Sequence, residues 1–406
     1  MIDIKENLNK IICGNALDVL KEIPDDSVNS IISSPPYFLK RRYEGIPDYI
    51  WDGDKNCDHD WEDIIHKPNG GKGTNANVGA NRNSKANMRE GNIISNFCSI
   101  CGAWKGQLGN ESNYSDYIKH LIQIISECKR VLKDNGSMFI NLGDTFSTQS
   151  GMSTGKLNKN YDSTYLKNVG NGMKLIKPKD YINKSLMLIP HRFAIEMIDN
   201  LKLILRNDLI WAKINGMPES VTDRFSIKKE YMFFFVKNEK YYFDLDSIRD
   251  IPKTKNILRN KGTDNYGKHL GLSNKLRNTN HEDGKNPGDI VEFWDDYRKL
   301  PLEEYLEICK EYYYDEGDIL NVPTKGNNED HYAAYSENLL KKLILAGTPK
   351  DGIILDPFAG IGSTIKAAIK FGRNGIGIEG SLKYIDIANK QLTELRNIKE
   401  NKNKFI

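Results

Sequence analysis

The stretch DGIILDPFAGIGSTIKAAIKFGRNGIGIEG, residues 351–380, contains the pattern that decides the fold. Its first apolar run ends at Asp356, turns through Gly360 and Gly362, and enters a helical pattern before a second strand that ends at Glu379. Strand, glycine turn, helix and strand make up the repeating unit of a doubly wound parallel sheet, which binds ligands at the carboxyl ends of its strands. Because glycines let the backbone approach a ligand closely, the stretch predicts a nucleotide-like ligand at this turn.

The same stretch favours one kind of adenosine cofactor over another. Glu379 lies where doubly wound folds bind ribose hydroxyls. The turn lacks the full G-x-G-x-x-G spacing that holds a pyrophosphate at a helix N-terminus. A carboxylate at Asp356 would repel a pyrophosphate, whereas it would attract a sulfonium and an ammonium group. S-adenosylmethionine therefore fits the pattern better than a dinucleotide.

A second informative stretch is SIISSPPYFLKRR, residues 30–42. Its apolar residues read as the end of a buried strand, and two successive prolines cannot continue a ladder because they lack N–H donors. Since each proline fixes its own φ and restricts the preceding residue, the groups after the strand are held at set angles. We predict a row of hydrogen-bond acceptors, formed by Ser34 and the prolyl carbonyls, beside the aromatic face of Tyr37.

The remaining chain alternates helical and strand patterns. YSDYIKHLIQIISECKRVLKDNG predicts an amphipathic helix that Ser115 can cap and that ends at Asn135-Gly136, and SMFINLGDTF follows as a buried strand. Later patterns predict a helix in HRFAIEMIDNL, strands in LILRNDLIWAKI and EYMFFFVKNEKYYFD, and a helix at about 336–346. This alternation implies an α/β fold with a mostly parallel, doubly wound sheet.

Composition limits the function classes. The chain has 406 residues and a net charge of only +3, and no apolar run reaches membrane-spanning length, so we expect a soluble cytoplasmic protein that does not bind membranes. The local charge pattern is stronger: 151–185 and 251–285 are basic, and 289–319 is acidic. Such runs often form solvated surfaces, but together with Lys40, Arg41 and Arg42 they favour a polyanionic partner.

DPFAGIGST and SSPPYF together resemble the paired motifs of the amino-directed DNA methyltransferases. Their order resembles the circularly permuted β arrangement, and the SPPY form is similar to the cytosine-N4 subgroup. The resemblance leaves out 66–92, 151–185 and 251–300. It implies a Rossmann-like fold that uses S-adenosylmethionine to methylate the exocyclic N4 of cytosine in double-stranded DNA after base flipping. It also implies a prokaryotic restriction-modification system, in which a cognate restriction endonuclease can be a partner.

The resemblance implies roles for individual residues. Ser34 and the Pro35 carbonyl would accept the hydrogens of the target amine, and Tyr37 would stack on the flipped base. Asn15 stands where the family usually has an aspartate near the adenine ring, and Asn141 and Asp144 could serve the pocket or a cap. The candidate catalytic residues are Ser34, Pro35, Pro36 and Tyr37; the candidate cofactor residues are Asn15, Asp356, Phe358, Gly360, Gly362, Ser363, Thr364 and Glu379. The candidate DNA contacts are Lys40, Arg41, Arg42, Lys253, Lys255, Arg259 and Lys261.

Four residues between SPPY and the long helix have the spacing of metal ligands. NCDHDW supplies Cys57 and His59, and FCSICGAW supplies Cys98 and Cys101. Three thiols and an imidazole are the ligands and the number that a closed structural zinc site needs. The alternatives are two unrelated pairs, or a redox C-x-x-C, which usually opens a helix. His66 could also replace His59 as the fourth ligand. We predict a structural zinc ion.

These observations divide the chain into five regions and leave several functions open. The regions are a catalytic-motif half at 1–50, a zinc-binding insertion at 51–112, a continuation of the sheet at 113–245 with the basic loop 151–185, a target-recognition region at 246–330 and a cofactor-binding half at 331–406. Adenine-N6 methylation is the first alternative function. An inactive zinc-containing nucleic-acid-binding protein is the second, and methylation of RNA or of a glutamine amide remains open because the acceptor row reads only an amide-like NH₂.

Overall fold

The computed structural model describes residues 1–40, 42–43, 45–64, 93–147, 182–212, 221–248, 290–291 and 337–403. The chain divides into two units. One unit comprises Met1–Tyr37, Leu121–Asp144 and Leu188–Ile406, and the other comprises Phe38–His120 and Thr145–Met187. Most of the basic loop 151–185, at 151–181, lies outside the described residues, and so does the whole basic region 251–285.

The first unit contains an eight-stranded sheet with the order β1-β12-β11-β2-β7-β9-β8-β10. Its strands are β1 Lys10–Cys13, β2 Val28–Ser33, β7 Leu132–Leu142, β8 Ile204–Ala212, β9 Lys229–Val236, β10 Ile290–Val291, β11 Ile353–Asp356 and β12 Asn374–Glu379. Among the described residues, the α-helices are α1 Ala16–Glu22, α2 Tyr114–Val131, α3 Ile189–Asp199, α4 Glu337–Gly347, α5 Ser363–Lys370 and α6 Leu382–Asn403.

The strand directions confirm the predicted mostly parallel, doubly wound sheet. β1, β12, β11, β2 and β7 are joined by parallel pairings, and β9 is antiparallel to both β7 and β8. β2 and β11 are direct neighbours, with Ser30 opposite Ile354 and Ile31 opposite Leu355. The carboxyl end of β2, which leads into SPPY, therefore lies beside the carboxyl end of β11, which leads into the glycine turn, although the two are far apart in sequence.

Two glycines of β12 let the glycine turn and α5 pack directly on the sheet. A Cβ at Gly375 would be 2.9 Å from the Cα of Ile365, and a Cβ at Gly377 would be 2.7 Å from the Cβ of Ala359. Ala359 belongs to the glycine turn and Ile365 to α5, so these contacts fix the height of the turn above the sheet. One hydrophobic core cluster of this unit consists of Ile32, Phe139, Met232, Phe234, Val236, Leu339, Leu340, Leu343, Ile344, Ile354, Ala367 and Ala368.

The long helix starts and ends earlier than its sequence predicts. The side-chain oxygen of Asn113 accepts a hydrogen bond of 2.8 Å from the backbone N–H of Asp116, so Asn113 is the cap and the prediction of Ser115 was wrong. The helix ends at Val131, and Asn135-Gly136 lies within β7. These residues extend β7 instead of ending the helix, because Ser137 and the residues after it pair with both β2 and β9.

The second unit contains a four-stranded antiparallel sheet with the order β3-β6-β5-β4. These strands are β3 Tyr49–Trp51, β4 Trp61–Ile64, β5 Ile93–Cys98 and β6 Trp104–Gly106. His120 is buried between two indoles, stacked 4.6 Å from Trp51 and 5.5 Å from Trp104, measured between ring centroids. Its Nδ1 is 3.0 Å from the buried carboxylate of Glu111, which satisfies the polar atoms of this small core.

Among the helices of the described residues, none combines the length and the apolar character that crossing a membrane requires.

Candidate functional site

The Asp356 carboxylate joins the two sequence motifs. Ser33 Oγ donates a hydrogen bond of 2.6 Å to its Oδ1, and Thr364 Oγ1 donates one of 2.6 Å to its Oδ2. The backbone N–H of Phe358 also donates to Oδ1, at 3.0 Å. The side chain therefore ties the last residue of β2 and the first turn of α5 to the end of β11.

Burial and hydrogen bonding act in opposite directions on this carboxyl group. Asp356 is only 2 % exposed, and desolvation raises its pKa above the usual range. The hydrogen bonds from Ser33, Thr364 and the Phe358 N–H lower the pKa and offset part of this rise. A cation placed beside Asp356 would favour the ionised form further, because it adds an attraction in a region with little water.

The glycine turn is held by the second predicted carboxylate. Glu379 is 8 % exposed; its Oε2 accepts from the N–H of Gly360 at 2.9 Å, and its Oε1 accepts from the N–H of Ser381 at 2.8 Å. Desolvation raises the pKa of Glu379, and these backbone N–H groups oppose the rise. Since each carboxylate oxygen can accept more than one hydrogen bond, ribose hydroxyls could still bind here.

Gly360 and Gly362 both adopt left-handed backbone conformations, with φ of +53° and +79°. A Cβ built at Gly360 would meet nothing within 4 Å, so the turn presents open space there rather than a packed wall. At Gly362, by contrast, a Cβ would lie 3.3 Å from Ala388 and from Ile11. The first glycine is thus the position at which a ligand can approach the backbone.

The other predicted cofactor residues lie in or near this turn, and one of them, Asn15, also caps a helix. Phe358 is half-buried after Asp356, and Ser363 is buried at the start of α5. Asn15 follows β1, which pairs with β12 so that Cys13 lies opposite Glu379. The Asn15 side-chain oxygen accepts from the N–H of Leu17 at 2.9 Å, so the expected adenine contact would have to share an oxygen that already caps α1.

The SPPY residues lie in a network of oxygen atoms. Tyr37 Oη is 2.6 Å from Asn141 Oδ1 and 2.7 Å from Glu230 Oε2. Ser34 Oγ lies at longer range, 3.3 Å from Tyr37 Oη and 3.4 Å from Asn141 Oδ1. Ser33 and Ser34 point to opposite sides, as successive residues of an extended chain do, so one serves Asp356 and the other serves this network.

The ring of Tyr37 is fixed as well as its hydroxyl. A Cβ at Gly143 would be 2.7 Å from Tyr37 Cε2, so the ring packs closely on this glycine. Pro35 is buried and Pro36 is half-buried. Of the two pocket candidates at the end of β7, Asn141 joins the Tyr37 network, whereas Asp144 Oδ1 accepts from the N–H of Ile189, the first residue of α3, at 3.1 Å.

Sequence reasoning missed Ser33 and Glu230. Ser33 could have been suspected as a polar residue in a buried strand. Glu230 carries no local signal, because its role depends on β9 lying next to β7 in the sheet.

The four predicted metal ligands meet in the second unit. Their ligand atoms all lie within 4.8 Å of one another. The sulfur atoms of Cys57 and Cys98 are 3.8 Å apart, and Cys101 Sγ is 3.4 Å from His59 Nδ1. A tetrahedral zinc ion with Zn–S bonds of about 2.3 Å requires sulfur atoms about 3.8 Å apart. The residues therefore fit zinc, and Cys57 and Cys98 are free thiols that are not joined by a disulfide.

Local hydrogen bonds prepare two of these thiols for ionisation. Burial opposes ionisation of Cys98, but the N–H of Cys101 and the His59 side chain outweigh it and lower the Cys98 pKa to about 6. The backbone N–H groups of Ala103 and Asp54 lower the pKa of Cys101. Burial and the two neighbouring thiols raise the pKa of Cys57 to about 12. A dication would lower it again, because metal-bound thiols are thiolates.

The candidate DNA contacts are only partly described. Lys40 is exposed, and Arg42 Nη2 lies 2.9 Å and 3.0 Å from the two carboxylate oxygens of Asp48. A phosphate would therefore have to compete with Asp48 for Arg42. Arg41, Lys253, Lys255, Arg259 and Lys261 lie outside the described residues.

Asp356→Asn should lower the free energy of unfolding by about 1–3 kcal/mol, because an amide cannot accept from all the donors that meet the carboxylate. Urea unfolding followed by circular dichroism measures this change. Asp351→Asn, in an exposed turn before the same strand, is the matched control and should leave the midpoint unchanged. Equal midpoints for the two variants would contradict the linking role of Asp356.

Comparison with known proteins identifies the family to which the chain belongs. The family model N6_N4_Mtase, described as DNA methylase, matches residues 28–390. The type II methyltransferase M.Cfr9I of Citrobacter freundii is 26% identical over 382 residues, which cover 92% of this chain and 84% of that protein. M.SmaI of Serratia marcescens, also a type II methyltransferase, is 28% identical over 298 residues, with coverage of 72% and 79%. The solved PvuII DNA methyltransferase (cytosine-N4-specific) aligns with a TM-score of 0.47 and 14% identity, covering 95% of this chain and 90% of that one. Because the family model spans most of the chain, the protein belongs to the N6_N4 family of DNA methylases.

Proposed function

We propose that this DNA methylase transfers a methyl group from S-adenosylmethionine to the exocyclic N4 of cytosine in double-stranded DNA. The observation that carries the proposal is the pair of adjacent serines at the end of β2. Ser33 binds the buried carboxylate of the cofactor strand, and Ser34 faces the Tyr37 network. The site for a cationic methyl donor and the site for an amine acceptor therefore meet at the carboxyl ends of two neighbouring strands.

The acceptor groups suit an amine that is a poor nucleophile. The lone pair of an exocyclic amine is delocalised into the ring, and it becomes available as the nitrogen turns pyramidal. Ser34 Oγ and the Pro35 carbonyl would accept the two amine hydrogens, and they would stabilise the positive charge that develops on nitrogen. Transfer is direct, from sulfur to nitrogen, and needs no covalent intermediate with the protein.

The carboxylates suit the cofactor for electrostatic reasons. Asp356 would lie at the methionine end, where the sulfonium and ammonium charges favour its ionised form. Glu379 would accept from the ribose hydroxyls, and Phe358, Gly360, Gly362, Ser363 and Thr364 would line the turn. Thr364 already donates its hydroxyl proton to Asp356, so a cofactor carboxylate would have to be bound mainly by other donors of the turn.

The choice of cytosine N4 rests on the serine of SPPY, and the order of the motifs supports the permuted β arrangement. The relatives are named type II methyltransferases, which supports a role in restriction-modification with a cognate endonuclease. Tyr37 would stack on the flipped base. We assign the DNA surface to Lys40, Arg41, Arg42 and the basic region at 251–285, within the target-recognition region 246–330.

Ser34→Ala should lower the single-turnover rate of methyl transfer to duplex DNA by about 10²–10³-fold, as loss of one preorganised hydrogen-bonding group does at other active sites. Incorporation of label from tritiated S-adenosylmethionine measures the rate, and the cofactor dissociation constant should stay unchanged. Ser226→Ala, at an exposed position, is the control. A Ser34→Ala enzyme with the wild-type rate would contradict the assignment of Ser34.

We also propose that Cys57, His59, Cys98 and Cys101 bind one structural zinc ion. Four protein ligands close the coordination sphere, so the ion would have no open position for substrate and would stabilise the fold of the second unit. His59 is fixed partly by its contact with Cys101, and Gly102, with φ of +73°, forms the turn that follows the C-x-x-C pair. This turn is a knuckle, not the helix start expected of a redox pair.

Protein purified without chelators should contain about one zinc ion per chain by elemental analysis. Cys98→Ser should lose the metal and lower the unfolding midpoint, because an incomplete site binds zinc weakly and leaves unpaired polar groups. Cys13→Ser changes an exposed thiol of the other unit, and this variant should keep the bound zinc and the wild-type unfolding midpoint. Wild-type protein without stoichiometric zinc, or a Cys98→Ser variant that retains it, would rule out this site.

A further inference from the structure

We propose that Glu230 accepts the proton that the target amine releases, through a relay of Ser34 and Tyr37. The inference rests on the proposed function, because it concerns the same transfer reaction. It assigns a role to a carboxylate that belongs to neither of the two sequence motifs but lies 2.7 Å from the Tyr37 hydroxyl.

Methyl transfer to an amine leaves one proton to be removed. The S–CH₃ bond breaks as the N–CH₃ bond forms, the sulfonium becomes a neutral thioether, and the nitrogen carries the positive charge with two hydrogens. The product amine keeps only one of these hydrogens. A base near the nitrogen must therefore take the other as a proton.

The oxygen atoms are arranged in a chain that leads away from the amine. Ser34 Oγ, the proposed amine acceptor, is 3.3 Å from Tyr37 Oη, and Tyr37 Oη is 2.7 Å from Glu230 Oε2. The amine proton would move to Ser34, the Ser34 proton to Tyr37, and the Tyr37 proton to Glu230. Both hydroxyls regain a proton, and only the carboxylate changes its protonation state.

The contacts around the Tyr37 hydroxyl indicate that this network can hold one additional proton. Tyr37 has a single hydroxyl proton, yet its oxygen lies within 2.7 Å of two acceptor oxygens, on Asn141 and Glu230. The amide of Asn141 is oriented by its Nδ2, which donates to the Tyr231 carbonyl at 3.0 Å, so its oxygen must face Tyr37. With Glu230 ionised, only one of the two short contacts can be a hydrogen bond. Protonated Glu230 could donate to Tyr37 while Tyr37 donates to Asn141, so both contacts would become favourable.

Glu230 is the member of the network suited to keep this proton. Hydroxyl and amide oxygens are far weaker bases than a carboxylate, so the proton would not rest on Ser34, Tyr37 or Asn141. Asp356 is also a carboxylate, but Ser33, and not Ser34, contacts it, and its oxygens already accept three hydrogen bonds. Glu230 is only half-buried at the start of β9, so water can collect the proton between turnovers.

The test compares Glu230→Gln, Tyr37→Phe and the double variant in single-turnover methylation of duplex DNA. Glutamine keeps the shape of the side chain and can donate to the Tyr37 oxygen, but it cannot take up a proton. We expect each single variant to lower the rate about 10²-fold, as loss of general-base catalysis does. The double variant should be no slower, because both changes interrupt one chain. The dissociation constants for S-adenosylmethionine and DNA should not change.

Two further variants separate proton transfer from positioning. Glu230→Ala should regain part of its rate when formate is added, because a small carboxylate can enter the space and accept the proton. Glu239→Gln, the same change at an exposed position beyond the end of β9, is the control and should keep the wild-type rate. Active wild-type enzyme with an unaffected Glu230→Gln variant, additive losses, or no response to formate would overturn the relay alone. A wild-type protein that binds the cofactor but methylates no DNA would overturn the proposed function and the relay with it.

Discussion

The interaction on which the site depends is the hydrogen bonding of one buried carboxylate. Asp356 accepts hydrogen bonds from the end of β2, from the backbone of its own turn and from the first turn of α5. Each donor belongs to a different segment, and each would be difficult to satisfy if the carboxylate were absent. The distance between the glycine turn and the SPPY residues is therefore set by covalent geometry and by three hydrogen bonds within the protein.

The same residues that shape the site also give it a charge. Desolvation raises the pKa of both Asp356 and Glu379, and backbone and hydroxyl donors offset part of that rise. A cation that binds beside such a buried carboxylate stabilises its ionised form. This explains in physical terms why a sulfonium cofactor suits the turn, whereas a pyrophosphate would meet repulsion.

The features that the sequence predicted are local ones. The glycine turn, the end of the SPPY strand and the parallel sheet follow from residues that are neighbours in the chain. The cysteine cluster is also one of the features that local spacing predicts, through C-x-H and C-x-x-C. The two ligand pairs come together in space because β4 pairs with β5. Ser115 failed as a cap because Asn113, two residues earlier, provides a better acceptor. Glu230 could not have been predicted, since its contact with Tyr37 depends on the order of strands in the sheet. Asn15 shows that a residue expected at the cofactor can also be required to cap a helix.

The identity of the modified nucleoside is the decisive measurement for this protein. Purified protein would be incubated with S-adenosylmethionine and unmethylated genomic DNA, and the digested DNA would be analysed by mass spectrometry. We expect N4-methylcytosine as the product. N6-methyladenine would contradict the base assignment while leaving the acceptor geometry intact, and the absence of any methylated nucleoside, with the cofactor bound, would contradict the assignment of DNA methylation to this site.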